Sequence, residues 1–542
     1  MTESRHSIRR RSSLLPPPPF KAVARLPYWR LDKVLIRFED EQGGGVDLTI
    51  RDSADGVFIA GNKGSGKSSG SGATLQHALI AAKSGMLILP FKDGSEREQI
   101  EGIATVESRS DQLCVFGPGG NYRFNFTEYL SRHPDEAVRS PKHFAPLLEA
   151  IFAATIPAGE GSRDPFWVGQ VARIAEAAYI IVANCGETFT MTLLLEFVRN
   201  APLSPEEVHR GYWKETIFGR LLTAAIVNAA GTPQEKQVAD AVTYWTKIFC
   251  REPDVTRGGA LMGFENLAAV FSDPILKRLF EGEDSNLIPE HVVQNCGIVF
   301  VDLPIARYKT VGRVAQTIWR VLVQDAILRR NDPEDDCRPL CTIWCDEFQF
   351  HIEPTLNQFL STCREVRGVF VGICQSIPAL YAAVGGRTPE HSTQAMLSNL
   401  VCKIIHNVTD PVTCRWASEQ IGNTRRWKAS GSQNKSPSLF SAESGGGDGL
   451  GLGLDAEPWI RPEEFQSLAT GGPLCNFQVG AVVVLGQKAI AATGRPYLEV
   501  TFIQHHASVV NRLSRRRRWS FRRLFSSALT IFVALIVSSI KP

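Results

Sequence analysis

The residues best suited to chemistry form a glycine-rich loop after a short apolar segment. Gly56–Ala60 is predicted to be a buried strand and Thr74–Lys83 a helix, with the pattern G-x-x-x-x-G-K-[ST] between them. In this pattern successive backbone N–H groups converge on a phosphate, and the following helix adds the positive end of its dipole. The loop is therefore predicted to bind ATP, through Gly61, Asn62, Lys63, Gly64, Ser65, Gly66, Lys67, Ser68 and Ser69.

Two side chains of this loop have specific expected roles. Lys67 is expected to reach the β- and γ-phosphates, and the Ser68 hydroxyl is expected to bind Mg²⁺. The alternative is a Gly/Ser-rich connector between two elements, which leaves the Gly-Lys-Ser triplet unexplained. The triplet therefore favours nucleotide binding.

A second candidate segment lies much further along the chain, where the apolar run Thr342–Cys345 ends in two adjacent acids. In P-loop enzymes a strand of this kind delivers its first acid to Mg²⁺, usually through water, and the second acid can polarise the attacking water. We therefore predict Asp346 as a metal ligand and Glu347 as the general base. The alternative is a solvated helix N-terminus with acidic caps.

Another apolar strand, Phe370–Cys374, ends in Gln375. A side-chain amide at such a strand end, beside a phosphate site, can sense the γ-phosphate or orient water. The alternative is an ordinary capping or turn residue, and the pattern by itself favours that alternative.

The elements that would position these side chains are short apolar strands separated by helical segments. This arrangement is typical of a parallel sheet covered on both faces. Leu31–Ile50 is predicted to be a β-hairpin, and helical periodicity dominates from about 128 to 290. The sequence thus predicts an α/β domain interrupted by an all-α insertion, with further strands at Met86–Leu89, Gln112–Phe116, Gly297–Leu303, Cys341–Cys345, Val369–Cys374 and Cys402–His406.

Charge is distributed unevenly along the 542 residues, although the net charge is only +3. Residues 1–26 carry six Lys/Arg against one acid, and 512–542 carry eight against none. The remaining body has 45 basic and 55 acidic residues. A body of that sign excludes a general nucleic-acid-binding surface, so any DNA contact is expected to be local.

The two ends of the chain have distinct predicted properties. Residues 1–26 are basic and proline-rich, which predicts disorder. Near the other end, an arginine-rich segment precedes the apolar run Leu524–Ile540, which would span about 26 Å as a helix against a hydrocarbon core of about 30 Å. We predict a C-terminal hydrophobic helix within 512–542 that anchors the body to the cytoplasmic face of the inner membrane. A monotopic or core-packed helix is the alternative, because serines and a threonine dilute the run.

Domain boundaries follow from these changes in composition. The ATPase domain is expected to be discontinuous, over 27–127 and 291–508, with the all-α insertion at 128–290. Residues 428–454 are Ser/Gly-rich and are predicted to form a flexible loop.

Together these residues resemble the TraG/TraD-like coupling proteins of conjugative type IV secretion, DNA-transfer ATPases of the HerA–FtsK superfamily. The motif order carries the resemblance: Gly61–Ser68, the helical insertion, Asp346-Glu347-Phe348, and Gln375-Ser376. Smaller similarities are Asp164–Trp167 in the insertion, Ser272–Pro274 before the returning strand, and Thr409–Pro411.

The resemblance implies a RecA-like P-loop ATPase, hexameric, that moves a DNA–protein substrate towards a secretion channel. Implied partners are single- or double-stranded DNA, a relaxase or other secreted protein, channel components and the inner membrane. It also implies a sensor role for Gln375 and an arginine acting between subunits, for which Arg364, Arg367 and Arg387 are candidates.

The chain departs from the family pattern in two places. The family's N-terminal transmembrane hairpin is not seen, and the family's Asp-Pro-Lys-Gly-like segment is here Pro90–Gly94, without the leading acid. Two other functions therefore stay open. One is a membrane-tethered HerA-like ATPase for DNA processing or defence, and the other is a nucleotide-regulated recruitment platform.

Overall fold

The structure is a computed structural model, which describes residues 15–21, 30–39, 45–155, 165–282, 284–330, 338–353, 355–433, 448–486 and 494–504. Within these ranges, the side chains of 165–168, 428–433 and 448–453 are left undescribed. The predicted C-terminal helix in 512–542 lies outside the described residues. No helix among the residues described is both long enough and apolar enough to cross a bilayer.

Thirteen strands are described. They are β1 Val34–Glu39, β2 Gly45–Thr49, β3 Val57–Ala60, β4 Gly85–Leu89, β5 Leu113–Phe116, β6 Ile298–Val301, β7 Cys341–Cys345, β8 Gly368–Cys374, β9 Cys402–Ile405, β10 Asn423–Gln433, β11 Asp448–Pro458, β12 Gln478–Leu485 and β13 Leu498–Ile503.

Nine of these strands form one sheet in the order β13-β12-β9-β3-β8-β7-β4-β6-β5. The seven strands from β9 to β5 are parallel, and β12 and β13 extend the sheet as antiparallel strands. The predicted mostly parallel α/β sheet is therefore confirmed. β12 and β13 were not predicted from the sequence.

The sheet is apolar on both faces, which explains why its strands are continuous apolar runs rather than alternating ones. In β3, Phe58 and Ala60 face one hydrophobic core, while Val57 and Ile59 face the other. Both cores exclude water from the strands, so that polar side chains of the site can enter only at the strand ends.

Among the described residues, eighteen α-helices surround the sheet or form the insertion. They are α1 Ile50–Ala54, α2 Ala73–Ala81, α3 Ser95–Val106, α4 Phe126–Arg132, α5 Pro141–Thr155, α6 Pro165–Asn184, α7 Met191–Arg199, α8 Pro205–Arg210, α9 Ile217–Ala229, α10 Glu235–Thr243, α11 Asp254–Phe271, α12 Pro274–Phe280, α13 Pro289–Val293, α14 Ile305–Leu328, α15 Leu356–Thr362, α16 Ile377–Val384, α17 Pro389–Ser398 and α18 Pro411–Ile421.

The described residues between β5 and β6 form helices joined by turns and loops, with no strand among them, as the sequence predicts. Its core is aromatic: the rings of Phe197 and Phe218 stack with centroids 4.6 Å apart, and Trp245 meets Phe197 edge-on at 5.2 Å. Trp319 of α14 joins the insertion to the sheet, because its ring packs against Phe116 of β5 and Phe124.

Two predictions need correction. The ends of the predicted loop 428–454 are strands, because β10 and β11 pair antiparallel along their full length, and residues 434–447 lie outside the description. The predicted disorder of 1–26 does not hold for residues 15–21, which lie against α13. The carbonyl oxygen of Pro16 is 2.9 Å from Nε2 of His291, and the ring of Phe20 packs edge-on against the same imidazole. A proline-rich segment can dock in this way because it has little chain entropy to lose.

Candidate active site

The phosphate-binding loop follows β3, which lies between β8 and β9 in the sheet. The backbone N–H of Gly61 donates to the carbonyl oxygen of Cys374, 3.2 Å away, and that of Asn62 donates to the carbonyl of Asn407 at 2.8 Å. The Asn62 side chain also donates to the Thr409 hydroxyl at 3.0 Å. The start of the loop is thus fixed to the ends of both neighbouring strands.

Two glycines give the loop its shape. Gly64 and Gly66 have φ of +83° and +80°, a left-handed conformation that other residues rarely adopt. At Gly66 a Cβ atom would also collide with the side chain of Val479 on β12. The loop then enters a π-helical turn, Ser68–Gly72, that continues into α2. The antiparallel edge of the sheet therefore packs directly against the loop.

Lys67 and the two predicted acids share one environment. The Lys67 ammonium is buried and donates to the carbonyl oxygen of Asn62 at 3.4 Å. Burial lowers the pKa of Lys67, while the charges of Glu347 and Asp346 act in the opposite direction. Burial and the neighbouring Glu347 raise the pKa of Asp346 to about 6, against the opposing effect of Lys92 and Lys67. Two distant segments of the chain thus meet at the carboxyl edge of the sheet.

Glu347 is held in place through both carboxylate oxygens. Gln375 donates to Oε1 at 2.5 Å and Gln349 donates to Oε2 at 3.0 Å. The backbone of Glu347 has φ of 54° and ψ of 65°, an uncommon conformation for a residue with a side chain. The strand end therefore turns sharply and presents Glu347 towards the loop, with 1% of its surface exposed. Gln375 contacts Glu347 directly, so its amide positions the predicted base.

A buried histidine, His406, contacts the helical turn that follows the loop. The Ser71 hydroxyl lies 2.6 Å from Nε2 of His406, and Nδ1 lies 3.1 Å from the carbonyl oxygen of Gly480. Because a carbonyl only accepts, Nδ1 carries the proton and Nε2 accepts from Ser71. Burial lowers the pKa of His406 to about 4, so that the imidazole is neutral at physiological pH.

The predicted loop residues differ in their surroundings. Lys63 is exposed, whereas Ser65 is buried, and its hydroxyl has no hydrogen-bond partner within the described residues. Ser69 accepts from the Gln504 side chain at 3.0 Å. Ser68 and Ser69 both line a cavity of about 300 Å³ that Asp346 also lines.

Several residues of this cavity escaped sequence reasoning. They come from α2, α3, β7 and the end of β13, and the sequence-based prediction contained none of them: Gln76, Glu96, Trp344 and Gln504. Lys92, the retained basic residue of the segment after β4, lines the cavity as well. No local motif marks these positions, since only the strand order brings them to the loop.

The three candidate arginines lie in different environments. Arg367 is buried and donates to the carbonyl oxygen of Arg338, which argues against contact with another subunit. Arg364 is 57% exposed and forms a 2.8 Å ion pair with Asp55, and Arg387 is exposed after α16. Arg364 precedes β8, so it lies at the edge of the sheet opposite the phosphate-binding loop.

The donor set fits a magnesium–nucleotide complex. Mg²⁺ is usually bound by one or two carboxylates, substrate phosphate oxygens and water. The Ser68 hydroxyl and the Asp346 carboxylate supply hard oxygen donors at one cavity, and Lys67 supplies the complementary charge for phosphate. Asp346 and Ser68 would hold the metal, and Lys67 the phosphates.

Fold and site together define a P-loop nucleotide-binding domain with an all-α insertion. Residues 341–468 match the family model described as the TraM recognition site of TraD and TraG. Comparison with curated protein sequences yields no match. Among solved structures, this chain is similar to those of the conjugative coupling protein TrwB.

The unbound form of bacterial TrwBΔN70 aligns with a TM-score of 0.54 at 15% identity, over 90% of this chain and 96% of that one. TrwB with the ATP analogue ADPNP gives 0.54 at 14% identity, over 90% and 97%. TrwB with ADP and Mg²⁺ gives 0.53 at 15%, over 91% and 97%. This chain therefore has a TrwB-like fold, and the predicted resemblance to TraG/TraD-like coupling proteins is confirmed.

Proposed function

We propose that this chain is an ATP-hydrolysing coupling protein that drives a DNA–protein substrate into conjugative type IV secretion. One observation carries the proposal: Lys67, Asp346, Glu347 and Gln375 converge at the carboxyl edge of one sheet. Support also comes from the solved structures of TrwB, which include complexes with ADPNP and with ADP and Mg²⁺.

Hydrolysis would use these residues in separate roles. Lys67 and the N–H groups of the loop would bind the phosphates and neutralise charge that develops during transfer. When bound, Mg²⁺ supplies further charge neutralisation between the phosphates. Glu347 would accept a proton from the attacking water, because both of its carboxylate oxygens are oriented by the amides of Gln375 and Gln349.

Contact with DNA and with other subunits belongs to the proposal too. The body has a net negative charge, so DNA would be bound locally, as in the pore of a ring. In a hexamer, Arg364 or Arg387 would reach the nucleotide of a neighbouring subunit, because both are exposed. A relaxase or relaxosome protein, channel components and the inner membrane complete the proposed partners.

A recruitment platform is the second candidate, favoured by the match of 341–468 to a partner-recognition segment. In that case nucleotide would set only the assembly state. Residues of the matched segment bind the phosphate loop, since Asn407 and Thr409 contact Asn62. Partner binding and nucleotide binding would then be coupled without hydrolysis.

The rate of ATP hydrolysis, with and without single- and double-stranded DNA, tests the proposal on the full chain. We expect hydrolysis that DNA accelerates. Transfer assays of Glu347→Gln separate the candidates, because a motor loses transfer and a platform keeps it. Equal hydrolysis with and without DNA, together with normal transfer by Glu347→Gln, would contradict the motor.

A further inference from the structure

The cavity beside the phosphate loop contains one acid that the function described so far does not use. Glu96, in the first turn of α3, lines the cavity together with Asp346, Ser68 and Lys92. Glu96 is partly buried, and desolvation together with the nearby Asp346 raises the pKa of its carboxyl group to about 8. Two carboxylates that line the same cavity repel each other unless a cation binds near both of them.

Glu96 is held by two consecutive side-chain hydrogen bonds, which link it to the helix after the phosphate loop. The Gln76 side chain on α2 donates to Oε1 of Glu96 at 3.4 Å, and Gln99 donates to Oε1 of Gln76 at 2.5 Å. Gln76 is 1% exposed, so its amide has little freedom to turn away. These hydrogen bonds fix Glu96 relative to α2, the helix that follows Ser68.

The cavity wall also contains a hydrogen-bond donor close to Glu96. Trp344 is on β7, Asp346 follows the end of that strand two residues later, and both side chains line the cavity. The indole of Trp344 is 1% exposed and lines the cavity, and its Nε1 lies near enough to the Glu96 carboxyl to lower the pKa of that group as a donor, although no acceptor among the described residues lies within full hydrogen-bond distance. A buried N–H of this kind requires an acceptor, which the carboxylate and ordered water can supply together.

We propose that Glu96 is a positioning residue of the magnesium site: it accepts from the water shell of the Mg²⁺ that Ser68 and Asp346 hold, with Trp344 donating to the same water layer. This inference rests on the proposed function and names a further residue of that site. Mg²⁺ keeps several waters when it binds, so a carboxylate in its outer shell is chemically suited to the ion. Glu96 would thereby favour the magnesium complex over the free nucleotide.

The test measures binding of ADPNP to the full chain by calorimetry, at increasing Mg²⁺ and in EDTA. We expect Glu96→Gln to raise the Mg²⁺ concentration for half-maximal tight binding by about tenfold, as removal of an outer-shell partner does. Affinity in EDTA should stay unchanged. The matched control is Glu98→Gln, which removes the same charge from an exposed position of α3 and should behave as the unmodified chain.

Trp344→Phe is a second, independent variant, because it removes the indole N–H and keeps an aromatic ring. It should shift the Mg²⁺ requirement in the same direction by a smaller factor, and it decides the question if Glu96→Gln does not fold. Mg²⁺ titrations of folded Glu96→Gln or Trp344→Phe that superimpose on those of Glu98→Gln would overturn the inference and leave the proposed function intact. Absence of ADPNP binding by the unmodified chain would instead refute the proposed function, and the inference with it.

Discussion

The nucleotide edge of the sheet and the core of the helical insertion are both buried, but they bury opposite kinds of side chain. At the edge, Lys67, Asp346 and Glu347 are buried with charges or hydrogen-bonding groups. In the insertion, Phe197 and Trp245 are fully buried and make ring contacts. Burying polar groups costs free energy, whereas burying aromatic rings stabilises the fold. We therefore expect the buried polar side chains at the edge of the sheet to serve catalysis, and the buried rings of the insertion to serve stability.

The largest expected effect separates chemistry from folding. Glu347→Gln should lower the rate of ATP hydrolysis by about 10²–10⁴-fold, the usual contribution of a general base. Binding of ADPNP should persist, because the amide keeps the shape of the side chain. Single-turnover hydrolysis and calorimetric binding measure the two quantities. A variant that hydrolyses ATP at the normal rate would show that Glu347 is not the general base, and that the buried acids at the edge of the sheet do not serve catalysis.

The insertion should respond in the opposite way. Trp245→Ala should lower the free energy of unfolding of the insertion by about 3–5 kcal/mol, because a large cavity replaces the ring that packs edge-on against both Phe197 and Phe218. Folded protein should retain its hydrolysis rate per molecule. Thermal unfolding followed by circular dichroism, with hydrolysis assayed below the transition, checks both. Tyr212→Ala, which removes an exposed aromatic ring, serves as the control. An equal loss of stability in that variant would contradict the claim that burial of Trp245 stabilises the insertion.

The smallest expected effect concerns pH. His406 is neutral in the folded chain, with a pKa of about 4, while an unfolded histidine has a pKa of about 6.5. Between pH 6.5 and about pH 4, His406 is protonated in the unfolded state but stays neutral in the folded state. Stability should therefore fall as the pH drops from 6.5 to 4, by at most about 3 kcal/mol from this group.

His406→Asn should flatten that part of the stability profile, since asparagine can still donate to Gly480 but does not titrate. Urea unfolding at several pH values measures the profile. His391→Asn is the control, because His391 is exposed on α17 and its replacement should leave the slope as it was. An unchanged slope in His406→Asn would show that other buried groups control the acid response.

Much of the fold could be predicted because its strands are buried on both faces. Residues such as Val57–Ala60 and Gly368–Cys374 form apolar runs that only a covered parallel sheet explains. The phosphate loop was evident because its chemistry is local in sequence. Pairing it with Asp346 and Glu347 needed the order of motifs along the chain, and in the structure the charges of both acids act on Lys67.

The rest depended on contacts that sequence spacing does not encode. Glu96 reaches the site only because β4 lies beside β7, and Gln504 only because the antiparallel β12 and β13 close the sheet beside the loop. The ribbon β10–β11 was mistaken for a loop because its glycines suggested flexibility. The alternation of Leu450, Leu452 and Leu454 with glycine has the period of a strand and could have revealed it.

The most direct test of a shared pocket is a double-mutant cycle on binding of ADPNP in the presence of Mg²⁺. Lys67→Ala and Asp346→Asn should each weaken binding, and the double variant should weaken it by less than the sum, because both residues act on the same magnesium–phosphate complex. Calorimetry on the unmodified chain and the three variants gives the coupling. Strictly additive losses, or an Asp346→Asn variant that binds normally, would contradict a common site for these two segments of the chain.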